Sequence, residues 1–295
     1  MSVSFRGVSV ALVTPFREGR VDEEALRRHI DFVIAEGVQS VLPCGTTGES
    51  PTLTHEEHNR VVALTVEWAN KRVPVLAGAG SNSTAEAVAM AKHAAEVGAD
   101  GLLLVSPYYN KPTQEGLYRH FMTVAEAAGL PVILYNIPGR CGVNIAPETT
   151  ARLAKSPLIV GIKEATGDLN QMIRTIEICP PDFLVTSGDD GLTLPLLAVG
   201  GGGVISVVAN IVPGPLVALW RAWEEGQTQK AKELFYKTSP WFKALFLETN
   251  PIPIKYALSL TGRMAPDVRL PLVLPSEPVR KRLLDLATEW NLVSQ

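Results

Sequence analysis

The sequence predicts an α/β fold, a (β/α)8 TIM barrel followed by a C-terminal helical extension. Eight short apolar segments recur along the chain, and an amphipathic stretch separates each segment from the next. Nearly continuous apolar runs are typical of parallel strands that are buried on both faces. Eight alternating strands and helices favour a closed barrel, and a doubly wound open sheet is the alternative.

The eight predicted strands are the runs richest in apolar and β-branched residues. In chain order they are Val8–Thr14, Val38–Pro43, Val73–Ala77, Gly101–Val105, Pro131–Asn136, Leu158–Lys163, Phe183–Ser187 and Val204–Val207. Because the last of them is followed by one more helix pattern, the barrel is predicted to cover residues 1–224. Residues 225–295 have helical periodicity without a strand signal, which predicts the helical extension.

The helices between the strands have recognisable first turns. Capping or acidic residues mark the starts Asp22-Glu23-Glu24, Thr54-His55-Glu56-Glu57, Thr84-Ala85-Glu86 and Pro147-Glu148. Gly37 and Gly98 follow two of these helices and predict their ends.

Composition limits the classes of function. The 295 residues include 27 Lys and Arg against 30 Asp and Glu, a net charge of −3, and 46% are hydrophobic. Such a chain has enough apolar surface for a large core and is not disordered. A slightly acidic pI near 6.0 indicates neither nucleic-acid nor membrane binding. The cysteines Cys44, Cys141 and Cys179 form no close pair, which favours a reducing, cytoplasmic location.

The uncharged stretch Gly191–Trp220 is long enough to raise the possibility of a membrane span. A spanning helix needs about 20 unbroken apolar residues. Pro195, Gly200–Gly203 and Pro213 interrupt this one, so a helix, a buried strand and a second helix start are predicted instead.

Polar segments follow five of the predicted strands. They are Gly45–Glu49, Ser106–Pro112, Tyr135–Arg140, Lys163–Glu164 and Ser187–Asp190. Active sites of α/β barrels lie at the carboxyl ends of the strands, so these segments predict one shared site.

Lys163 is the strongest candidate for a nucleophile. Strand alternation puts Ile159, Gly161 and Lys163 on one face. If that face points into the barrel, burial lowers the pKa of the amine and makes it reactive near neutral pH. The alternative is a lysine that extends from the strand end into solvent.

Three neighbouring features suit a substrate with a carboxylate. Tyr135 can relay protons for a Schiff base, although a core tyrosine is the alternative. The turn Gly45–Gly48 offers two hydroxyls and free N–H groups, although Gly and Thr also simply form turns. Arg140 can bind a carboxylate with two hydrogen bonds, or is an exposed surface arginine.

Two familiar motifs are incomplete. Gly78-Ala79-Gly80 precedes a helix, but Ser83 occupies the place of the third glycine of a dinucleotide fingerprint. His55 and His58 are three residues apart rather than four, which excludes a zincin. No cluster has the spacing of metal ligands.

Taken together, the strand ends resemble the class I, pyruvate-dependent aldolase family. The matching segments are Gly45-Thr46-Thr47-Gly48-Glu49, Tyr135-Asn136-Ile137-Pro138-Gly139-Arg140, Gly161-Ile162-Lys163-Glu164-Ala165-Thr166-Gly167 and Gly203-Val204-Ile205-Ser206. The resemblance covers essentially the whole chain, including Asn250-Pro251-Ile252-Pro253. It implies a lyase that condenses pyruvate with L-aspartate 4-semialdehyde in lysine and diaminopimelate biosynthesis. It also implies a homotetramer, assembled as a dimer of dimers, and no metal or organic cofactor.

The resemblance also assigns roles residue by residue. Lys163 corresponds to the Schiff-base lysine, and Tyr135 and Thr46 to its proton relay, which Tyr109 completes from a neighbouring subunit. For substrate binding, Thr47 matches the threonine that holds the pyruvate carboxylate, and Arg140 the arginine that receives the semialdehyde carboxylate. Gly188 and Ile205 match positions that contact substrate, largely through the main chain.

Some members of this family are inhibited by L-lysine at a cleft between two subunits. The corresponding residues are Ser50, His55, His58, Asn82, Glu86 and Tyr108. Pro51 departs from the alanine that many relatives carry, which predicts an altered loop and weaker regulation.

Two other functions are compatible with a carboxylate-binding barrel. A related pyruvate-dependent sugar-acid aldolase or dehydratase keeps the chemistry, but such relatives commonly lack the arginine that matches Arg140. A non-catalytic sensor of small carboxylates is the second alternative. It has no need of a lysine nucleophile, so Lys163, Tyr135 and Thr46 together favour an enzyme.

Overall fold

The computed structural model describes residues 4–293 and centres on an eight-stranded parallel barrel. The strands are β1 (Gly7–Ala11), β2 (Ser40–Leu42), β3 (Leu76–Gly78), β4 (Gly101–Val105), β5 (Val132–Asn136), β6 (Ile159–Glu164), β7 (Leu184–Ser187) and β8 (Gly203–Ser206). They pair in the order β2-β1-β8-β7-β6-β5-β4-β3, and a parallel bridge between Val41 and Val75 joins the two ends of that order. The predicted TIM barrel is therefore confirmed, and the open sheet is excluded.

Twelve helices accompany the strands in the described part of the chain. They are α1 (Glu23–Ala35), α2 (His55–Ala69), α3 (Thr84–Glu96), α4 (Gln114–Ala128), α5 (Pro138–Cys141), α6 (Pro147–Leu153), α7 (Leu169–Ile178), α8 (Thr193–Ala198), α9 (Pro213–Glu224), α10 (Thr228–Ala244), α11 (Ile252–Leu260) and α12 (Glu277–Glu289). The predicted starts are correct: Asp22 caps α1, and Thr54 forms a capping box with Glu57. Gly37 and Gly98 follow α1 and α3 with φ of +89° and +88°, a left-handed conformation that ends helices.

The first strand is shorter than predicted. Val13 donates its N–H to the Asn210 side chain at 3.2 Å instead of to a neighbouring strand, so the ladder ends at Ala11. A short hairpin follows, in which Phe16–Arg17 pairs with Arg20–Val21. Its turn residues Glu18 and Gly19 both have positive φ, as tight hairpin turns require.

A small apolar cluster includes residues from seven of the eight strands. Its buried members are Phe5, Ala11, Leu42, Leu76, Leu103, Ile133, Tyr135, Leu184 and Ile205. A larger cluster joins the opposite strand faces to the helices. Alternating strand residues thus separate a barrel interior from an outer layer, and Tyr135 belongs to the interior at the carboxyl end of β5. Strand β6 is the exception, because a register shift after Ile159 places that residue in the outer layer, so the prediction that Ile159 shares a face with Lys163 is wrong.

The extension consists of α10, α11 and α12. Helix α10 packs on α9, while α11 and α10 both pack on α12. The boundary between barrel and extension at residue 224 stays a prediction.

The uncharged stretch Gly191–Trp220 contains α8, β8 and most of α9, and no helix of residues 4–293 is long and apolar enough to cross a membrane.

Candidate active site

Lys163 lies on β6 in register with Tyr135 on β5. Residues in register on parallel strands point to the same side, so Lys163 points into the barrel as Tyr135 does. The lysine is only 5% exposed, and its Nζ lies 4.2 Å from the centre of the Tyr135 ring. The pKa of Lys163 is lowered to about 8, mainly because the amine is buried. The carboxylate of Asp190 opposes that shift, and the Arg140 guanidinium contributes to it. The alternative prediction, a lysine that extends from the strand end into solvent, is therefore wrong.

Tyr135 supplies a proton-carrying hydroxyl beside that amine. Burial raises the pKa of Tyr135 to about 12, and a hydrogen bond with the Thr46 side chain partly offsets the shift. The phenol therefore keeps its proton at neutral pH and can exchange it with a neighbouring group. Lys163, Tyr135 and Thr46 are therefore brought together, with the amine beside the tyrosine ring and the phenol hydrogen-bonded to Thr46.

The Gly45–Glu49 turn follows β2 and orients the two threonines. Gly48 and Glu49 donate their N–H groups to Gly45 and Thr46, both at 3.1 Å. The Thr14 hydroxyl donates to the Gly48 carbonyl at 2.7 Å, which attaches the turn to the segment that follows β1. Thr47 is buried, and the Asn250 amide donates to its Oγ1 at 3.0 Å.

Arg140 is an exposed residue of the short helix α5. Its Nη2 donates to the carbonyl of Asn250 at 3.1 Å. The guanidinium also lowers the pKa values of Lys163 and Tyr135, so its charge acts at the reacting groups. An anchored cation at the mouth of the site suits a substrate carboxylate.

Gly188 and Ile205 close the site from β7 and β8. The N–H of Gly188 donates to the Glu164 carbonyl at 2.7 Å. A Cβ at Gly188 would lie 3.0 Å from Cε of Lys163 and 2.6 Å from Cβ of Ala165, so only glycine fits without movement. Ile205 is buried in the same interior cluster as Tyr135.

A single cavity of about 600 Å³ connects the two groups of predicted residues. Thr46, Tyr135 and Arg140 line it on the side of the barrel. The residues that match the lysine-inhibition pattern and line it elsewhere are Ser50, His55, His58, Glu86 and Tyr108. The volume suits a small ligand.

The histidine pair belongs to a polar cluster on this cavity. His55 Nε2 lies 3.1 Å from Glu86 Oε1, and the Ser81 hydroxyl donates to the other oxygen of Glu86. His58 is buried, its Nε2 donates to the Gly78 carbonyl at 3.0 Å, and burial lowers its pKa. The neutral ring therefore leaves Nδ1 as an acceptor, and that atom has no partner among the described residues.

Six of the predicted residues do not line the cavity themselves: Lys163, Thr47, Gly188, Ile205, Asn82 and Tyr109. Asn82 accepts a hydrogen bond from the Asn110 amide through its carbonyl at 2.9 Å. Tyr109 is 89% exposed with φ of +73°. One chain alone therefore does not bring Tyr109 to Tyr135, and its action on a neighbouring subunit stays a prediction.

Two residues of the site were not assigned a role from the sequence. Asp190 is 1% exposed and accepts hydrogen bonds from the Ser206 hydroxyl and from the N–H groups of Val207 and Val208. Burial raises the pKa of Asp190 to about 6. Asn250 joins Thr47 to Arg140. The position of Asp190 after a predicted strand was a usable signal; Asn250 had only its place in the Asn-Pro-Ile-Pro segment.

No group of three or more His, Cys, Asp or Glu side chains within residues 4–293 is arranged to hold a metal ion.

A parallel barrel whose polar strand ends converge on a buried lysine has the architecture of an α/β-barrel enzyme. Comparison with known proteins gives the family: the model of the dihydrodipicolinate synthetase family matches residues 4–289. The chain belongs to that family. A 4-hydroxy-tetrahydrodipicolinate synthase of Syntrophus aciditrophicus is 54% identical over 289 residues, which are 98% of this chain and 99% of the relative.

Two solved structures are similar over nearly their full length. A chloride-inhibited dihydrodipicolinate synthase from Acinetobacter baumannii, complexed with pyruvate, has a TM-score of 0.95 at 43% identity, covering 98% of this chain and 100% of that one. A dihydrodipicolinate synthase from Cyanidioschyzon merolae with lysine bound has a TM-score of 0.95 at 40% identity, covering 98% and 99%.

Proposed function

We propose that the protein is a 4-hydroxy-tetrahydrodipicolinate synthase, a lyase that condenses pyruvate with L-aspartate 4-semialdehyde in lysine and diaminopimelate biosynthesis. The observation that carries the proposal is the buried amine of Lys163 beside Tyr135, with a pKa lowered to about 8. Membership of the family and the pyruvate in the Acinetobacter relative support the same chemistry.

The reaction begins when the neutral amine of Lys163 attacks the keto carbon of pyruvate. Loss of water gives an imine, for which the Tyr135–Thr46 pair carries protons to the departing oxygen. Thr47 holds the pyruvate carboxylate, while Gly188 and Ile205 contact the substrate. No metal or organic cofactor is required, because the protonated imine accepts the electron pair when the methyl group loses a proton.

The enamine that results attacks the aldehyde carbon of the semialdehyde. Arg140 binds the carboxylate of that second substrate at the mouth of the site, which aligns the aldehyde with the enamine. The amino group of the semialdehyde then displaces Lys163 from the former keto carbon. Ring closure therefore releases the product and restores the free amine.

The proposed assembly is a homotetramer built as a dimer of dimers, in which Tyr109 of one subunit completes the proton relay of its neighbour. The exposure of its ring in the single chain supports a contact with another chain. A cytoplasmic location stays a prediction from the three cysteines, all of which are free and buried.

Borohydride trapping with pyruvate tests the chemistry. Intact mass and peptide mapping should locate a pyruvate-sized adduct on Lys163 in the unmodified protein and none in Lys163→Ala. Lys155→Ala is the control, because Lys155 is an exposed lysine, whereas Lys163 is buried beside Tyr135. A folded protein that forms no adduct would exclude a Schiff-base lyase, whereas an adduct without semialdehyde turnover would indicate another acceptor.

We further propose that L-lysine inhibits at the cavity end formed by Ser50, His55, His58, Glu86 and Tyr108, with Asn82 beside it. The ion-pair geometry of His55 and Glu86 and the free Nδ1 of His58 suit an amino acid, and the Cyanidioschyzon relative was solved with lysine. Glu86→Ala should abolish inhibition and leave imine formation intact. Unchanged activity and melting temperature of the unmodified protein at millimolar lysine would contradict the proposal.

A further inference from the structure

We propose that the C-terminal extension holds the Gly45–Glu49 turn in its working conformation through the buried ion pair of Lys255 with Glu49, which makes both residues positioning residues. The inference rests on the proposed function, since it explains how Thr46 and Thr47 are kept in place for that reaction. Neither Lys255 nor Glu49 touches the reacting groups, so their effect is exerted through the turn.

The turn ends in a conformation that glutamate rarely adopts. Glu49 has φ of 53° and ψ of 36°, in the left-handed region that non-glycine residues seldom occupy. Such a conformation persists only where the surroundings determine it from several sides, and it is concentrated at functional sites. The contacts of the Glu49 side chain therefore have a direct bearing on the backbone that carries both threonines.

Both carboxylate oxygens of Glu49 are held by the extension. Lys255 on α11 is fully buried and places its Nζ 2.5 Å from Glu49 Oε1. The backbone N–H of Arg269 donates to Oε2 at 3.0 Å. The Nζ atom also lies 4.0 Å from the centre of the Phe16 ring, so the hairpin after β1 completes the enclosure.

A contribution to the free energy of unfolding does not explain this ion pair well. Lys255 is the one charged residue of α11, whose sequence is otherwise apolar or neutral. Removing two charges from water offsets most of their attraction, so buried pairs are weak contributors to stability. Their best-attested use is to fix one arrangement among several, which is what a catalytic turn requires.

Two further contacts come from the same part of the extension. Asn250, just before α11, donates to Thr47 Oγ1 and accepts from Arg140, as described above. The Arg269 guanidinium contacts both oxygens of Glu57 at 2.6 Å, which attaches the extension to the first turn of α2. The turn is therefore bound at Thr47, at Glu49 and at the helix that follows it.

Removing the ammonium of Lys255 leaves the Glu49 carboxylate buried with a single hydrogen bond. We expect the turn to relax toward ordinary backbone angles and to move Thr46 away from Tyr135. A displacement of about 1 Å at a catalytic group can cost about 100-fold in rate. Imine formation should therefore decrease even though no residue in contact with pyruvate has changed.

The test compares Lys255→Met with the double variant Glu49→Gln/Lys255→Met, which has no unpaired charge and keeps the experiment informative if the single variant fails to fold. Leu286→Ala is the control, because truncating this buried residue of α12 lowers stability by leaving a cavity without removing a charge or a hydrogen bond of the turn. The melting temperature of each variant is measured first. The rate of pyruvate trapping by borohydride, and kcat and KM for pyruvate, are then measured at a temperature below the melting transition of every variant.

Both ion-pair variants should trap pyruvate about 10- to 100-fold more slowly, with a lower kcat, while Leu286→Ala melts earlier at an unchanged rate. Trapping by the folded double variant within about twofold of the unmodified rate would overturn the positioning role and leave the proposed function intact. Absence of an imine in the unmodified protein would instead overturn the proposed function, and the purpose of the ion pair with it.

Discussion

The amine of Lys163 becomes reactive through competition between burial and charge. Burial disfavours its ammonium form, and Arg140 acts in the same direction, while the Asp190 carboxylate favours the charged form. Burial is the larger effect, which leaves the pKa at about 8. The same burial raises the pKa of Tyr135 to about 12. One apolar environment therefore makes the amine easier to deprotonate and keeps the neighbouring phenol protonated.

The pKa of Lys163 predicts how imine formation depends on pH. Only the neutral amine attacks pyruvate, so the trapping rate should rise with pH, level off above about 8, and fall about tenfold per unit well below that value. Initial rates of borohydride trapping from about pH 6 to about pH 9 measure the profile. A rate still rising steeply at the alkaline end would indicate a lysine with an ordinary pKa.

Arg140→Ala should separate the two substrates. The variant loses the cation for the semialdehyde carboxylate and leaves Lys163 with its amine, so KM for the semialdehyde should rise about 10- to 100-fold. Pyruvate trapping should change much less. Steady-state kinetics and trapping on the same preparation measure both effects, and equal damage to the two steps would remove Arg140 from the aldehyde site.

Strands β5 and β6 do most to position the site, because their register brings Tyr135 beside Lys163. The neighbouring end of β7 restricts the same space, since the backbone of Gly188 lies against the lysine stem and Ala165. Active-site geometry at this scale is a property of adjacent strand ends rather than of any single loop.

Gly188→Ala tests that packing. The added methyl group would lie 2.6 Å from Ala165 and 3.0 Å from Cε of Lys163, so the lysine stem or the strand end must shift. We expect pyruvate trapping to slow by about 100-fold in a protein that still folds. Circular dichroism checks the fold, and Gly139→Ala is the matched control, because nothing lies within 4 Å of a Cβ at Gly139.

Much of this arrangement can be predicted from the sequence, and the exceptions have physical causes. Apolar runs located all eight strands because burial on both faces leaves a direct record in residue type. The end of β1 was misplaced because Val13 remains buried while its N–H bonds to Asn210. The Lys255–Glu49 pair joins residues 206 positions apart. Local periodicity cannot reveal such a contact, although a lone lysine in an apolar helix is a visible anomaly.

At the scale of the whole molecule, parts outside the barrel strands contribute to the site: the C-terminal extension and the exposed loop after β4. The extension contacts the Gly45–Glu49 turn through the bonds of Lys255 and Arg269 to the Glu49 carboxylate. On the open side, Tyr109 projects from the loop after β4 and is 89% exposed. A large exposed aromatic residue beside a catalytic cavity suits an interface between subunits.

Tyr109→Phe tests whether a second subunit completes the site. The phenylalanine keeps the ring that packs at an interface and removes only the hydroxyl, so turnover should fall about 100-fold without dissociation. Steady-state kinetics measure the first effect and sedimentation velocity the second. Unchanged turnover in an intact tetramer would exclude the hydroxyl from the relay; dissociation would show that Tyr109 serves assembly instead.

The continuous cavity between Tyr135 and the His55–Glu86 cluster has a thermodynamic consequence. If lysine at one end weakens pyruvate binding at the other by some factor, pyruvate must weaken lysine binding by the same factor. Feedback would then depend on the concentrations of both metabolites rather than on lysine alone. At a higher pyruvate concentration, more lysine would be needed for the same degree of inhibition. The enzyme would therefore respond to the supply of substrate as well as to the level of the end product.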